Sequence, residues 1–113
     1  MKTTVTRCAA ERTLQLVSGR WKIIILHRLL DETLRFAELQ RAINSLTSSG
    51  ITPKMLTQEL RQMEDDGLVF RQVYAQVPPK VEYSLTPLGA SLRPVVEAME
   101  TWGHAHEQEV KAS

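Results

Sequence analysis

Residues 52–86 read TPKMLTQELRQMEDDGLVFRQVYAQVPPKVEYSLT, which is the pattern of a helix followed by a two-stranded hairpin. Thr52-Pro53 predicts the start of the helix, because the hydroxyl can cap the first turn and proline is tolerated at the first helical position. Apolar residues then recur with a helical period until Gly67 ends the helix. From Val69 the period changes from 3.6 to 2, which predicts two β-strands joined at a Pro78-Pro79 tip.

Three helical segments are predicted before this unit. The apolar spacing indicates a short amphipathic helix over 11–17, a buried helix over about 20–30 that is apolar on nearly all sides, and a third helix over 36–43. Leu34-Arg35-Phe36 predicts a brief strand, and the polar stretch 44–50 predicts a connection between helices. Two helices joined by a connection and followed by a hairpin form a winged helix-turn-helix. The predicted fold class is therefore α+β and mostly helical.

A second Thr-Pro pair predicts a further helix after the hairpin. Thr86-Pro87 begins a segment with one apolar face, which we expect to be a single C-terminal helix over about 87–106. This helix and the N-terminal one are predicted to be dimerisation helices added to the winged domain. We expect one domain over 1–113, with the helix-turn-helix at about 36–66 and the wing at about 68–86.

Length and composition argue against several classes of protein. The chain has 113 residues, of which 42% are hydrophobic and 24% charged, with 14 Lys and Arg against 13 Asp and Glu. The longest apolar run, Ile23–Leu26, is far shorter than the about 20 residues that a membrane helix needs. The first residues lack the apolar segment of a signal peptide. We therefore expect no membrane association. Because one cysteine cannot form an internal disulfide, we also expect a cytoplasmic protein.

No motif predicts catalysis, a cofactor or a metal. The sequence lacks a Gly-rich phosphate loop, a nucleophile elbow and an HExxH motif, so we expect neither enzyme activity nor a cofactor. His104 and His106, with Cys8 or His27, would offer metal ligands. Residues at i and i+2 of a helix, however, point about 200° apart. We therefore expect no metal site.

The predicted helix over 53–66 has polar side chains opposite its apolar face, as a helix that enters the DNA major groove requires. Lys54 and Arg61 can bind phosphate or guanine. Gln58 carries the paired donor and acceptor that suit adenine, and Thr57 can contact a thymine methyl group or a phosphate. The predicted partner is double-stranded DNA. An ordinary solvated surface helix would show the same periodicity, so both interpretations stay open at this point.

Further basic side chains are predicted to hold backbone phosphates. Arg71 and Lys80 lie on or beside the hairpin. Residues 1–30 hold six basic side chains and one acidic, whereas the rest of the chain holds eight basic and twelve acidic. The full set of predicted DNA-binding residues is Thr52, Lys54, Thr57, Gln58, Arg61, Arg71, Lys80, Arg20 and Lys22.

The apolar stripe of the last predicted helix is long for so small a core and favours a symmetric homodimer. Two recognition helices one DNA turn apart also require a two-fold axis. The alternative is that the stripe packs inside the same chain. The predicted dimer-interface residues are Leu14, Val17, Leu92, Val95, Val96, Met99 and Trp102.

Six strings of the chain form a recognisable set: Gly19-Arg20-Trp21-Lys22, Arg35-Phe36-Ala37-Glu38-Leu39, Lys54-Met55-Leu56-Thr57-Gln58-Glu59-Leu60, Glu64-Asp65-Asp66-Gly67-Leu68-Val69, Val77-Pro78-Pro79-Lys80-Val81-Glu82-Tyr83-Ser84-Leu85-Thr86 and Leu88-Gly89. With Cys8 thirteen residues before Trp21, they resemble the HxlR-type transcriptional regulators, relatives of the MarR group of bacterial winged-helix proteins. The resemblance extends over about residues 8 to 104. It implies a homodimeric regulator that binds a pseudo-palindromic operator. The chain departs from the family pattern in its longer connection from Ile43 to Ile51 and in Ala9, where many members carry proline.

The resemblance also implies a role for Cys8, because some members of the family sense oxidants or electrophiles through a cysteine at this position. In this sequence Cys8 lies between Arg7 and Arg12 just before a predicted helix, where positive charge and a helix N-terminus favour the thiolate. With one cysteine in the chain, a disulfide would form to a second subunit or to a small thiol. The alternative is a small, partly buried apolar residue.

Two other functions stay open at the level of the sequence. A winged helix can serve as a protein-interaction module whose recognition helix packs against a protein partner. A regulator can also be controlled by a small-molecule effector in a pocket between the dimer helices and the winged domain. The operator, the inducer and the sign of regulation do not follow from the chain.

Overall fold

The secondary structure is mainly helical, with a small antiparallel sheet after the fourth helix. The computed structural model describes residues 5–111. Its elements in chain order are α1 (Ala9–Val17), α2 (Lys22–Leu29), β1 (Leu34–Arg35), α3 (Phe36–Asn44), α4 (Pro53–Asp65), β2 (Val69–Tyr74), β3 (Lys80–Leu85), α5 (Pro87–Ala90), α6 (Arg93–Ala105) and α7 (Glu107–Lys111). The predicted winged helix-turn-helix fold is confirmed, with α3 and α4 as its two helices and the β2-β3 hairpin as its wing.

The sheet joins the hairpin to the helix-turn-helix. Its strand order is β1-β3-β2, and β2 pairs with β3 from Val69 opposite Leu85 to Tyr74 opposite Lys80. On the other side of β3, Leu34 of β1 lies opposite Tyr83. Since β1 runs directly into α3, the hairpin is attached to the first helix of the pair as well as to the second. The brief strand predicted before α3 is confirmed.

Local chemistry sets both ends of α4. The Thr52 hydroxyl accepts a hydrogen bond from the backbone N–H of Met55 at 3.2 Å, and Pro53 is the first helical residue. At the other end Gly67 adopts a φ of 77°, a left-handed conformation that glycine adopts without strain, and lets the chain turn into β2. The helix predicted over 53–66 is confirmed to within one residue.

The connection between α3 and α4 folds back against α3. The Asn44 side-chain oxygen accepts a hydrogen bond from the backbone N–H of Ile51 at 2.7 Å, and the Gln40 amide donates to the Ile51 carbonyl at 3.1 Å. Ile51 is itself buried. Although this connection is longer than a tight turn, both backbone polar groups of its last residue are fixed, and so is the point at which α4 begins.

The hydrophobic core lies between α2, α3 and α4. The side chains of α2 divide, since Ile25 and Leu26 are fully buried and Ile23 and Ile24 are only partly covered. The largest fully buried side chains are Ile25, Leu26, Leu39, Ile43, Leu56, Leu60, Met63 and Leu68. The prediction that the second helix lies at the centre of the core is confirmed for one of its faces.

The prediction of a single C-terminal helix is wrong. After α5 ends, Ser91 and Leu92 form a turn, α6 then begins at Arg93, and α7 follows His106. Pro94 supplies the physical reason, because it has no N–H to donate and its ring would clash with the carbonyl of Ala90 in a continuous helix. In the part of the chain that the structure describes, no helix has the length and apolar composition needed to cross a membrane.

Candidate nucleic-acid interface

The outer face of α4 presents polar side chains to solvent. Lys54, Gln58 and Arg61 are exposed and Thr57 is partly exposed. These positions follow the i, i+3, i+4, i+7 spacing that brings side chains onto one face of a helix. The opposite face holds Leu56, Leu60 and Met63 in the core. Because the inner face is buried, the polar face of α4 points to solvent.

Two shallow depressions flank this face. One is lined by Phe36 of α3 together with the polar side chains of α4 from Lys54 to Arg61. The other lies between α4 and the sheet and is lined by Thr57, Arg61 and Glu64 of the helix and by Arg71 and Tyr83 of the strands. Arg71 is exposed on β2. The predicted residues of the helix and of the hairpin therefore meet in one continuous surface, with Arg61 at the junction.

Lys80 is part of a polar cluster at the base of the hairpin tip. Its Nζ atom is 3.4 Å from an Oε atom of Glu82 and 4.8 Å from the centre of the Tyr74 ring. The hydrogen bond between Tyr74 and Glu82 raises the pKa of Tyr74. The same hydrogen bond, followed by the positive charge of Lys80, lowers the pKa of Glu82. Glu82 is therefore an anion at neutral pH and compensates part of the charge that Lys80 would offer to DNA.

Of the two basic residues predicted near the start of α2, only Arg20 lies at the surface. Its guanidinium donates to the Ser49 hydroxyl at 2.6 Å and stacks 4.7 Å above the Trp21 ring. Lys22 is only 4% exposed, and its Nζ is 2.9 Å from Oε1 of Glu59. This burial contradicts the expectation of a phosphate contact by Lys22. A lysine inside a small core requires a charged partner, and the partner here is on α4.

Cys8 is exposed at the N-cap position of α1. Its backbone N–H donates to the Thr6 hydroxyl at 3.2 Å, and the Arg12 guanidinium donates to the Thr6 carbonyl at 3.1 Å. The alternative of a partly buried apolar residue does not fit an exposed thiol. The sulfur is accessible to a reagent, and a cationic side chain is bound to the same short segment.

The predicted dimer-interface residues separate into three groups by their exposure. Leu14, Met99 and Trp102 are 57%, 50% and 59% exposed. Val95 is partly buried against the core of its own chain. The remaining three, Val17, Leu92 and Val96, are buried in that core, so the expectation that they lie at an interface is wrong. Helical periodicity shows that these side chains leave water, but the same chain already covers them.

An apolar groove of about 290 Å³ separates α2 from α6. Ile23, Ile24 and Met99 line it together with His27 and Glu100, whose Nε2 and Oε2 atoms are 2.5 Å apart. Trp102 lies farther along α6, where its ring stacks on His106. Among residues 5–111 no three His, Cys, Asp or Glu side chains come together in a way that could hold a metal ion.

Comparison with known proteins assigns this arrangement to a family. The model of the HxlR-like helix-turn-helix family matches residues 16–111. The chain belongs to this family. The resemblance seen in its sequence strings is thereby confirmed, and the expected functional class is that of transcriptional regulators of the helix-turn-helix type.

Individual relatives of this chain are named as regulators. An uncharacterised helix-turn-helix transcriptional regulator of Bacillus subtilis strain 168, YdeP, is 44% identical over 103 residues, covering 91% of this chain and 77% of its own. The redox regulator HypR in its reduced form has a TM-score of 0.83 at 42% identity, covering 94% of this chain and all of its own. The reduced form of the regulator YodB from B. subtilis has a TM-score of 0.71 at 33% identity, and the match covers 87% of this chain and 92% of the YodB chain. These relatives are regulators rather than enzymes.

Three residues that support or adjoin this surface, Glu59, Tyr74 and Glu82, were not singled out from the sequence. Glu59 was not singled out because nothing in α4 reveals its partner, which lies 37 positions away in the chain. Tyr74 and Glu82 could have been found from the strand register, since Tyr74 lies directly opposite Lys80 and Glu82 follows Lys80 on the same face of β3. The register itself depends on where the hairpin turns, which the two prolines alone do not fix.

Proposed function

We propose that this helix-turn-helix transcriptional regulator binds a pseudo-palindromic DNA operator as a homodimer, with α4 in the major groove and the hairpin along the flanking backbone. The outer face of α4 is the observation that carries the proposal. Its exposed side chains include a donor-acceptor pair on Gln58 and two cations on Lys54 and Arg61, and they lie on the face opposite the core. The proposed location is the cytoplasm, because a bacterial regulator meets its DNA there.

Each side chain of the surface has a role that follows from its chemistry. Gln58 and Arg61 contact base edges, as the amide suits adenine and the guanidinium suits guanine. Arg71 and Lys80 hold phosphates beside the groove, and Arg20 holds a phosphate near the start of α2. The proposed DNA-binding residues also include Thr52, at the N-terminus of α4, and its neighbours Lys54 and Thr57.

The homodimer uses the exposed apolar side chains of α1 and α6. Leu14, Met99 and Trp102 are each at least half exposed, so these large apolar side chains are available to a partner. A second copy is the partner that the DNA geometry requires, since an inverted repeat is bound by two identical helices about one turn apart. The acidic residues Glu97 and Glu100 also keep α6 away from DNA.

Cys8 is the proposed sensor of oxidants or electrophiles. HypR is named a redox regulator and is solved in reduced and oxidised forms, and YodB is solved after treatment with diamide. In this chain the thiol is exposed beside α1, which carries Leu14 of the dimer surface. Two thiols that give up two hydrogen atoms to diamide form one disulfide, either between two copies of Cys8 or with a small thiol.

Exchange of Cys8→Ser tests this role. We expect the variant to bind DNA like the reduced wild type and to keep that affinity after diamide, whereas the wild type changes its affinity. The measurement is a binding titration with labelled operator before and after the oxidant. An undiminished response of the variant would refute sensing by Cys8, and reversal by dithiothreitol is the control for irreversible damage.

The experiment that tests the function as a whole is selection of DNA from a random pool by the reduced protein at near-physiological salt. Enrichment of an inverted repeat supports the regulator and the dimer together. No enrichment by a folded protein contradicts both and favours the protein-interaction module. Salt dependence separates the two classes further, because DNA binding weakens steeply as counterions are released and an apolar protein contact changes little.

A further inference from the structure

We propose that the partly buried ion pair between Lys22 and Glu59 sets the rotation of α4 about its own axis and thereby decides which side chains meet the bases. The inference rests on the proposed DNA binding by α4 and deepens it. Lys22 and Glu59 act as positioning residues, since neither side chain is on the surface that would contact DNA.

The pair connects the start of α2 to the flank of α4. Lys22 is the first residue of α2, its side chain is 6% exposed, and its Nζ lies 2.9 Å from Oε1 of Glu59, whose side chain is 25% exposed. Successive residues of a helix are about 100° apart, so Glu59 lies between the face of Gln58 and the buried face of Leu56 and Leu60. A contact on the flank resists rotation in a way that a contact beneath the helix does not.

The apolar side of α4 cannot supply this restraint alone. Burial of Leu56, Leu60 and Met63 holds the helix against the core, but the hydrophobic effect is non-directional and tolerates small rotations. A hydrogen-bonded ion pair has one partner atom at one distance. With side chains ending at roughly 5–6 Å from the helix axis, a rotation of about 20° moves those ends by about 2 Å. Hydrogen bonds to bases do not survive such a shift.

The other polar contacts around α4 act on its flanking loops. Ile51, before the helix, is held by Gln40 and Asn44, and the Thr86 hydroxyl donates to the carbonyl of Gly67 after it. These contacts fix where the helix begins and ends. The Lys22–Glu59 pair holds the middle of the helix, beside Gln58.

This proposal separates stability from sequence discrimination. A buried ion pair contributes little to stability compared with apolar side chains of similar volume, so the double exchange Lys22→Met with Glu59→Met is expected to leave the unfolding temperature unchanged or raised. We expect the ratio of operator to non-specific affinity to fall roughly tenfold or more, which corresponds to the loss of one base contact. Non-specific affinity and its salt dependence stay as in the wild type, because the phosphate-binding side chains remain.

The experiment first selects an operator with the wild type and then measures operator and random DNA with each variant by fluorescence anisotropy. Glu59→Gln is a second variant that keeps an acceptor for Lys22, and it is expected to show a smaller loss of discrimination even if the double variant does not fold. The matched control removes a more exposed ion pair, Arg28→Gln with Glu32→Gln, whose side chains are 34% and 53% exposed, and it is expected to leave discrimination unchanged.

The outcomes distinguish the two proposals. If the wild type selects no operator, the proposed function is overturned and this inference with it. If the wild type selects one and both variants at Glu59 discriminate as well as the control, DNA binding stands and positioning by the ion pair is overturned. An equal loss of operator and non-specific binding would also overturn it, since that result indicates damage to the fold alone.

Discussion

Removal of the Arg71 charge tests the wing contact quantitatively. The side chain is exposed on β2, at the depression that it shares with Arg61, and we predict that it binds a backbone phosphate. Arg71→Gln therefore removes one phosphate contact from each protomer and two from a dimer. Each contact contributes about −0.9 to the slope of log affinity against log salt, so the slope becomes less negative by roughly 1.8. Between about 50 and 200 mM salt the wild type then loses roughly tenfold more affinity than the variant.

The assay is a set of anisotropy titrations with the selected operator at four salt concentrations. The order of preference among single-base variants of the operator should not change, because a phosphate contact carries no sequence information. Gln58→Ala is the counterpart on α4. It should leave the salt slope unchanged and lose about 1–3 kcal/mol of discrimination at one base pair.

Two results would refute the reasoning about the wing. A salt slope equal to that of the wild type would mean that Arg71 stays in solvent and that the hairpin does not follow the backbone. A change in base preference would mean that the guanidinium reads a base edge and that the hairpin enters a groove. In either case the proposal that the hairpin lies along the flanking backbone of the DNA would be wrong.

Three further predictions concern the fold and the dimer. Gly89→Ala should lower the free energy of unfolding by about 1–3 kcal/mol in urea, because the added Cβ would lie 2.2 Å from the backbone oxygen of Leu68. Thr52→Ala should lower it by about 1 kcal/mol in the same assay, because the cap to the Met55 N–H is lost. Trp102→Glu should convert the dimer to a monomer in sedimentation equilibrium, because it places a charge in the exposed apolar face of α6.

Two of these variants, Gly89→Ala and Trp102→Glu, have a matched control. Gly103 has nothing within 4 Å of an added Cβ, so Gly103→Ala should be neutral or stabilising, and a loss as large as that of Gly89→Ala would contradict the close-approach argument. Val73 is exposed on the hairpin, and Val73→Glu should leave the dimer intact. A monomeric wild type, or a Trp102→Glu variant that remains dimeric, would show that α6 is not the dimer surface.

The helix-turn-helix and its wing were predictable because several local signals agree. Thr52-Pro53 marks the start of α4 and Gly67 its end, and the change of period after Gly67 marks the hairpin. Each signal depends on residues close together in the chain. Local chemistry of this kind does not require knowledge of the tertiary contacts.

Most of the errors concern contacts between distant parts of the chain; the exception is the single C-terminal helix, which Pro94 interrupts by local chemistry. Lys22 was expected on the DNA surface because residues 1–30 carry an excess of basic side chains, yet its partner is on another helix. The apolar stripe of the C-terminal segment was assigned to a partner as a whole. The same periodicity describes Val96, which the chain covers itself, and Trp102, which it leaves exposed. Only the packed structure distinguishes a side chain that is already covered from one that awaits a partner.

The two residues of β1 bear on which half-site spacings the proposed dimer can bind. Because Leu34 and Arg35 attach β3 to the first turn of α3, the hairpin and both helices of the winged unit move together. The distance from the wing to α4 is then a fixed length on each subunit. An operator with one base pair more between its half-sites has to be accommodated by bending of the DNA or by pivoting where the subunits meet. The range of half-site spacings that the proposed dimer tolerates therefore depends on the stiffness of the contact between its subunits, because the distance from the wing to α4 is fixed within each subunit.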